Sequence, residues 1–222
     1  MKWGRRHGTE LAQRRLVWQS ASLLLAYPDA AARDMRLGTV EALYDRLPDE
    51  RAEPLRATVA HLRRIPVSEA ARHYVETFDL RRRTTLLLTY WTDGDTRNRG
   101  TAMLAFAQAY RAAGTTPPTG EAPDHLAVVL EFAATVDPDV GGSLLAAHRH
   151  AIDAVHTALT ERESPYAAVL GAVAGSLPAA SDQDVRRARE LVLAGPPAEQ
   201  VGLQPFTLTV PPRRGTAGQG GR

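Results

Sequence analysis

Residues 123–135 read PDHLAVVLEFAAT, and this stretch decides the fold class. Leu126, Val129, Leu130 and Ala133 recur at the i, i+3, i+4, i+7 spacing of a helix face that packs against a core. The spacing therefore predicts an amphipathic helix with one buried side.

The acidic residues of this stretch are predicted to face away from the core. Asp124 and Glu131 are seven residues apart, so they share the opposite, solvated side of a helix that is expected to start at Pro123 and end near Pro138. Asp124 then lies in the first turn, near the positive end of the helix dipole. His125 lies on the flank, either exposed at a groove edge or bonded within the fold.

Helical start and stop signals continue along the chain, and strand alternation is nearly absent. The run Thr84–Trp91 has strand propensity, but it lies between helical signals and is interpreted as helix. In the first half of the chain, the predicted helices run from about Thr9 to Ala26, up to Pro48, from about Pro54 to before Pro66, from Glu69 to about Leu80 and through Thr84–Trp91. In the second half they run from Thr96 to Ala113, from Pro123 to near Pro138, from Asp139 to about Arg162, from Ser164-Pro165 onward, and from Ser181 to Gly195. The predicted caps are Ser68 and Asp95, and Ser181 with Asp184 resembles a capping box.

These segments predict an all-α fold, a single-domain helical bundle of about nine or ten helices. We expect residues 1–8 to be a flexible N-terminus and residues 9–195 to form the helical domain. Residues 196–222 are rich in proline, glycine and arginine, and are expected to be a mobile tail.

Composition narrows the classes of function. The 222 residues include no cysteine, which excludes disulfides, thiolate metal sites and a cysteine nucleophile. The formal net charge is +2, Lys2 is the sole lysine, and the arginines are interleaved with acids rather than gathered on a stripe. No apolar run reaches the roughly 18 residues of a membrane span, and no secretory signal is visible. A cytoplasmic protein without a direct membrane span is expected.

Enzyme and metal signatures are absent from the sequence. It contains no phosphate loop, dinucleotide-binding glycine pattern, nucleophile elbow or His-Glu-x-x-His motif, so we expect neither catalytic residues nor a metal site. His148, His150 and His156 lack the three- or four-residue spacing of ligands on one helix face. A partly buried structural role is the better interpretation for them.

A second segment, His73–Leu80, combines aromatic and acidic residues. Tyr74 and Phe78 are one helical turn apart on the apolar side, and Glu76 and Asp79 are three apart on the polar side. Both segments are compatible with ordinary amphipathic helices that have a solvated acidic side.

The functional alternative is a peptide-binding groove, in which apolar burial supplies affinity and carboxylates orient a basic peptide. Two groups of residues would form it. The wall or structural residues would be Tyr74, Phe78, Leu126 and Leu130, and the charge contacts would be Glu76, Asp79, Asp124 and Glu131, with His125 beside them.

Four ordered motifs resemble the NarJ branch of the NarJ/TorD family of redox-enzyme maturation chaperones. The resemblance spans residues from about 15 to 195, and the motifs together are more specific than any one of them. They are Ser22–Pro28, the Tyr-x-Glu-x-Phe-Asp block at Tyr74–Asp79 with the arginines and Leu-rich run through Leu88, the segment Gly94–Gly100, and Pro-Asp-His-Leu…Leu-Glu-Phe at Pro123–Phe132.

The resemblance implies a TorD-like helical fold and a dedicated cytoplasmic chaperone. Its partner would be the apo catalytic (alpha) subunit of a respiratory nitrate reductase, recognised at its N-terminal segment. The chaperone would hold that subunit while the molybdenum cofactor is inserted and delay its membrane docking, without a cofactor of its own. Molybdenum cofactor biosynthesis proteins remain open as further partners.

Two other functions stay open at this point. One is a sister chaperone for another molybdoenzyme, of the dimethyl-sulfoxide-reductase type. The other, of a different class, is a helical nucleic-acid-binding regulator, although the interleaved acids argue against nucleic acid as a partner. The family pattern does not explain the three arginines at 81–83 or the Gly/Pro/Arg tail.

Overall fold

The computed structural model describes residues 2–197, and the helices fill most of that range. Eleven α-helices occur within it, so the predicted all-α class is confirmed and the count slightly exceeds the predicted number. They are α1 (Lys2–Leu25), α2 (Arg33–Tyr44), α3 (Asp49–Arg64), α4 (Val67–Tyr74), α5 (Leu88–Asp93), α6 (Arg97–Ala112), α7 (Leu126–Thr135), α8 (Pro138–Ala147), α9 (Arg149–Thr160), α10 (Ala167–Ser176) and α11 (Asp182–Ala194), with a π-turn at Val75–Asp79 and a 3-10 turn at Arg82–Thr84.

Helix α1 is the centre of the bundle, with α2, α3, α7 and α10 packed around it. Its residue Trp18 is fully buried and donates its indole N–H to the Ser176 hydroxyl on α10 over 2.8 Å. The Arg15 guanidinium donates to the Ala134 carbonyl at the end of α7 over 2.7 Å. These two bonds fix α1 against α10 and α7. Helix α9 packs on α10, and α11 packs on α9.

Several predicted helix starts are wrong. Helix α1 begins at Lys2 rather than Thr9, because a single exposed glycine such as Gly8 costs a helix only about 1 kcal/mol. The flexibility of residues 1–8 stays a prediction, although residues 2–8 are helical. Helix α3 begins at Asp49, which places Pro54 inside it rather than in its first turn.

The expected caps are also partly wrong. The N-cap of α4 is Pro66 instead of Ser68, and that of α6 is Thr96 instead of Asp95. The capping box at Ser181 and Asp184 is confirmed, with both reciprocal hydrogen bonds present at the start of α11. The predicted tail lies outside the described residues from position 198 onward.

The long helix predicted from Asp139 to Arg162 is divided at His148. The His148 ring bonds the Leu144 carbonyl at 2.9 Å and packs against Phe106 at 5.1 Å, so the chain turns before α9 begins. Burial lowers the pKa of His148, and likewise that of His150 and of His156. All three are buried or half-buried within the bundle, in keeping with the structural role expected from their spacing.

Helices α7 and α8 approach so closely that Gly141 has no room for a side chain. A Cβ atom at this position would lie 2.5 Å from both the Cα and the Cβ of Ala133. Relief would require the two helices to move apart, because the obstructing atoms are backbone or directly attached to it.

We expect Gly141→Ala to lower the free energy of unfolding by about 1–3 kcal/mol, the usual cost of overpacking a core. Gly38→Ala in α2 is the matched control, since a Cβ there meets nothing within 4 Å. That change should stabilise the protein by about 0.5–1 kcal/mol through helix propensity. Urea denaturation measures both values, and equal effects at the two positions would contradict the close helix contact.

Candidate functional site

The sequence predicts one helix from Glu69 to about Leu80 and another over Thr84–Trp91, and the structure interrupts both of them. Helix α4 ends at Tyr74, and the backbone continues as a π-turn in which the Leu80 N–H donates to the Val75 carbonyl over 3.0 Å. The Thr84 hydroxyl donates to the Thr77 carbonyl and closes this corner. Residues 85–87 are then extended, so the predicted helix over Thr84–Trp91 is wrong except for the part that belongs to α5.

This extended segment crosses the start of α7. Leu87 and His125 form an isolated antiparallel bridge. The Leu126 N–H donates to the Leu86 carbonyl over 2.8 Å, and the Leu88 N–H donates to the Asp124 carbonyl over 3.1 Å. Two segments that are distant in sequence are thereby held side by side.

A cavity of about 440 Å³ opens beside this crossing. Its walls are aromatic and aliphatic, and two exposed carboxylates, Asp79 and Glu121, belong to its lining. The full lining is Tyr27, Tyr74, Phe78, Asp79, Thr85, Leu86, Leu87, Glu121 and His125.

Aromatic rings build one wall of the cavity. Tyr74 contacts Tyr27 edge-on at 5.5 Å between centroids, and Phe78 at 4.9 Å. The Tyr74 hydroxyl donates to the Leu25 carbonyl at the end of α1 over 3.0 Å, and burial raises the Tyr74 pKa far above its usual range. Tyr74 is therefore a fixed, neutral wall residue, whereas Tyr27 remains 45% exposed.

His125 lies at the base of helix α7, as its N-cap. Its Nδ1 accepts the Ala127 N–H over 3.3 Å. Burial lowers the His125 pKa below its usual value of 6.5, and the nearby carboxylates of Glu121, Asp124 and Asp79 oppose that shift only in part. His125 is therefore neutral at pH 7 and serves as a hydrogen-bond acceptor for the helix.

Asp124 does not lie on a solvated face, contrary to the sequence prediction. Helix α7 begins at Leu126 instead of Pro123, and Asp124 is completely buried before it. Its Oδ2 accepts the Thr89 N–H over 3.1 Å and the Thr89 hydroxyl over 2.6 Å, with Arg99 Nη2 at 4.0 Å. Asp124 therefore joins α5 to the start of α7 and does not form a rim for a ligand.

The other predicted site residues lie at the cavity, in the core or elsewhere on the surface. Tyr74, Phe78, Asp79 and His125 are brought together at the cavity. Leu126 and Leu130 are fully buried in the core, and neither lines the cavity.

Glu76 and Glu131 lie elsewhere. Glu76 pairs with Arg72 one helical turn away at 3.0 Å and does not line the cavity, although it belongs to the same π-turn as Asp79. Glu131 is exposed but lines a different cavity, together with Tyr110 and Val136. The predicted shared acidic face of Asp124 and Glu131 does not exist.

Sequence reasoning missed five members of the lining: Tyr27, Thr85, Leu86, Leu87 and Glu121. Tyr27 carried a usable signal, because it directly precedes the Pro28 that follows α1 and is left exposed there. Glu121 gave none, since it lies in a loop whose course depends on tertiary packing.

The three successive arginines make separate intramolecular contacts. Arg81 donates to the Glu76 carbonyl over 2.7 Å, Arg82 to the Tyr90 hydroxyl over 2.7 Å, and Arg83 to the Leu193 carbonyl over 3.0 Å. They tie the π-turn, α5 and α11 to the segment that precedes the cavity wall.

Metal and membrane features can be stated only for residues 2–197. Among these, no three histidine, aspartate or glutamate side chains are grouped as ligands of one metal ion. No helix of this range is long and apolar enough to cross a bilayer.

The protein-family model described as "Nitrate reductase delta subunit" matches residues 44–171. This is more than half of the 222 residues and includes most of the cavity lining. The chain belongs to the nitrate reductase delta subunit family, which confirms the resemblance seen in the sequence motifs.

Three relatives show how far the similarity extends. "Nitrate reductase-like protein NarX" of Mycobacterium tuberculosis is 54% identical over 158 residues, which cover 71% of this chain but only 24% of that protein. "Probable nitrate reductase molybdenum cofactor assembly chaperone NarJ" of Bacillus subtilis is 28% identical over 74% of this chain and 89% of its own. The NarJ chaperone of Escherichia coli is 33% identical over 66% of this chain and 63% of its own.

A solved structure shares the fold. It is described as a redox enzyme maturation protein from Archaeoglobus fulgidus and superposes with a TM-score of 0.54 at 23% sequence identity. The superposition covers 72% of this chain and 91% of the other, which supports the predicted TorD-like helical architecture.

The buried position of Asp124 predicts a large difference between the two acids of the α7 region. Asp124→Ala should lower the free energy of unfolding by about 2–4 kcal/mol, because it removes two buried hydrogen bonds and leaves Arg99 without its carboxylate. Glu131→Ala on the exposed face should change it by less than about 0.5 kcal/mol. Urea denaturation measures both, and similar small values would contradict the buried junction.

Proposed function

We propose that this chain is an assembly chaperone that holds the apo catalytic subunit of a nitrate reductase until its molybdenum cofactor is inserted. The family membership and the names of the B. subtilis and E. coli relatives support this role. The absence of recognisable catalytic motifs in the sequence fits a binding protein better than an enzyme.

The observation that carries the proposal is the cavity between the π-turn and the start of α7. Its apolar walls suit aliphatic or aromatic side chains, and Asp79 and Glu121 suit a Lys or Arg beside them. A volume of about 440 Å³ accommodates a few side chains rather than a folded domain. The cavity therefore fits a short unfolded segment, for which we propose the N-terminal segment of the catalytic subunit.

Two large apolar side chains beside the cavity are exposed to solvent. Tyr27 is 45% exposed and Leu80, directly after Asp79, is 73% exposed. Large apolar side chains held open next to a cavity commonly mark a protein-binding surface. The rigid ring contact between Tyr74 and Phe78 limits the conformational entropy lost on binding.

Binding of the N-terminal segment in the cavity would also delay membrane docking of the catalytic subunit, since that segment would not be free to contact the membrane anchor. The compartment proposed for this step is the cytoplasm, where molybdenum cofactor biosynthesis proteins would have access to the complex.

The first test is calorimetric titration with a synthetic peptide of the N-terminal segment of the same organism's nitrate reductase catalytic subunit, against a scrambled peptide. Only the authentic peptide should bind. The double variant Asp79→Asn/Glu121→Gln should weaken binding about three- to tenfold, because exposed ion pairs contribute about 0.2–1 kcal/mol each. The difference should shrink in high salt.

Glu131→Gln is the matched control, since it removes an exposed acid outside the cavity, and should leave the affinity unchanged. An equal loss with Glu131→Gln would contradict the cavity as the binding site. No binding to the folded wild-type protein would overturn recognition of the N-terminal segment and favour another molybdoenzyme client or another part of the subunit.

The affinity for a basic peptide should also depend on pH through His125. Its pKa lies below 6.5, so it is neutral and the affinity is constant above that value. As the pH falls below 6.5, protonation places a positive charge beside Asp79 and Glu121, and the affinity should decline. In His125→Gln the decline on acidification below pH 6.5 should be absent; the same decline in that variant would assign it to other groups.

A further inference from the structure

The cavity has a second candidate occupant within this chain. We propose that residues 201–214 dock into the cavity of the same molecule when no client is bound, and that a client segment must displace them. The competition rests on the proposed function, whereas the docking itself can be tested without a client.

The last described residues after α11 lie beside Arg82, Arg83 and the end of α5. At Gly195 the backbone takes a positive φ of 77° and turns away from the helix. The Arg83 guanidinium then holds the Leu193 carbonyl at 3.0 Å, and Arg82 holds that of Pro197 at 3.4 Å. Pro197 also lies against Gly94, where a Cβ atom would overlap its carbonyl group.

These contacts bring the last described residues to the segment that forms the cavity wall. Arg82 and Arg83 are followed within three residues by Thr85, the first wall residue of that segment. From Pro197 to Phe206 there are nine residues, which reach up to about 30 Å at roughly 3.3–3.6 Å per residue. A span of about 30 Å is close to the diameter of a small domain, so a site next to the arginine triplet is within reach.

The composition of residues 201–214 complements the cavity. Its apolar residues are spaced two or three apart, and two prolines separate the last of them from a basic pair at 213 and 214. No aspartate or glutamate occurs from residue 200 to residue 222. The apolar members are Val201, Leu203, Phe206, Leu208 and Val210.

This order matches what the cavity offers. Phe206 or Leu208 suits the wall of Tyr27, Phe78 and Leu87, and the arginine pair suits Asp79 and Glu121 at the opening. The segment thus resembles, in chemistry, the apolar and basic client peptide proposed above. Docking would also cover Tyr27 and Leu80, which are otherwise open to association with unrelated chains.

A competing surface exists between α9 and α11, but its charges fit less well. That groove of about 410 Å³ is lined by Val185, Val192 and Leu193 and contains one carboxylate, Asp153. Asp153 is already paired with Arg149 at 3.1 Å, and Arg189 in the same lining would repel the arginine pair. The cavity provides two exposed carboxylates and has no arginine in its lining. The nearby Arg81, Arg82 and Arg83 bond the Glu76 carbonyl, the Tyr90 hydroxyl and the Leu193 carbonyl.

Because residues 201–214 belong to the same chain as the cavity, even weak docking would occupy the cavity in a large fraction of molecules. A short covalent connection gives an effective concentration on the order of millimolar, so an intrinsic dissociation constant of similar size leaves about half of the molecules occupied. The apparent affinity for a client then falls in proportion to the unoccupied fraction.

The test uses the full chain with photoreactive benzoylphenylalanine in place of Phe206. Irradiation followed by mass spectrometry should place crosslinks on peptides that contain Tyr27, residues 74–87 or residues 121–125. The crosslink yield should fall at least about fivefold in Asp79→Arg/Glu121→Arg and stay unchanged in Glu131→Arg, with folding of each variant checked by thermal melting. A mixture of isotope-labelled and unlabelled protein should show crosslinks within one molecule.

Crosslinks to the α9–α11 groove, between molecules, or to no defined surface would overturn the proposal. The same outcome follows if benzoylphenylalanine at Gln219 labels the cavity as efficiently as it does at position 206.

A client titration separates this proposal from the proposed function. Phe206→Asp/Leu208→Asp in the full chain should tighten apparent binding of the N-terminal client peptide by about twofold or more, as the competing segment is removed. Cavity crosslinks with no client binding in either protein would sink the proposed function and keep the docking. Client binding without cavity crosslinks would sink the docking and keep the function.

Discussion

The carboxyl group of Asp124 joins two parts of the chain that are 35 residues apart in sequence. Through Thr89 it fixes the start of α5, and through its own backbone it holds Leu88 beside the start of α7. The extended residues 85–87 are thereby held beside His125 at the start of α7. The cavity lies where this extended segment crosses the start of α7. The Asp124 Oδ2 accepts both bonds from Thr89, whereas Oδ1 is buried without a hydrogen-bond partner among the described residues. Because burying a carboxylate costs free energy unless its hydrogen bonds are made, the two Thr89 bonds favour this arrangement of the wall over one that breaks them.

The π-turn contributes the other half of the cavity. Its extra residue buries Thr77 and Phe78 together and turns Asp79 toward the opening, while Glu76 is left to pair with Arg72. The Tyr74 hydroxyl anchors this element to the end of α1. A ligand would thus meet a wall set by the bundle core and a charged edge set by two exposed segments, an arrangement that suits an apolar segment carrying a basic residue.

Local patterns in the sequence predicted the fold class, since the spacing from Leu126 to Ala133 is a property of one helix, and Leu126 and Leu130 are indeed buried. The capping box at Ser181 is equally local and was predicted correctly. Three other features involve contacts with distant parts of the chain. Buried Asp124 bonds Thr89, and His148, where the predicted long helix is divided, packs against Phe106. Phe78 of the π-turn packs against Tyr166 at 4.9 Å between ring centroids. None of these partners is near in sequence, so half of the cavity residues and the loss of the acidic face could not be read from periodicity.

The central claim is that the cavity between the π-turn and α7 is where the client segment binds. The most direct measurement is nuclear magnetic resonance mapping of the labelled protein as the N-terminal peptide of the nitrate reductase catalytic subunit is added. The account predicts the largest shift changes at Tyr27, Asp79, Leu87 and His125, with little change at Val185 and Leu193 in the α9–α11 groove. Shift changes confined to that groove, with the cavity resonances unmoved at saturation, would contradict it.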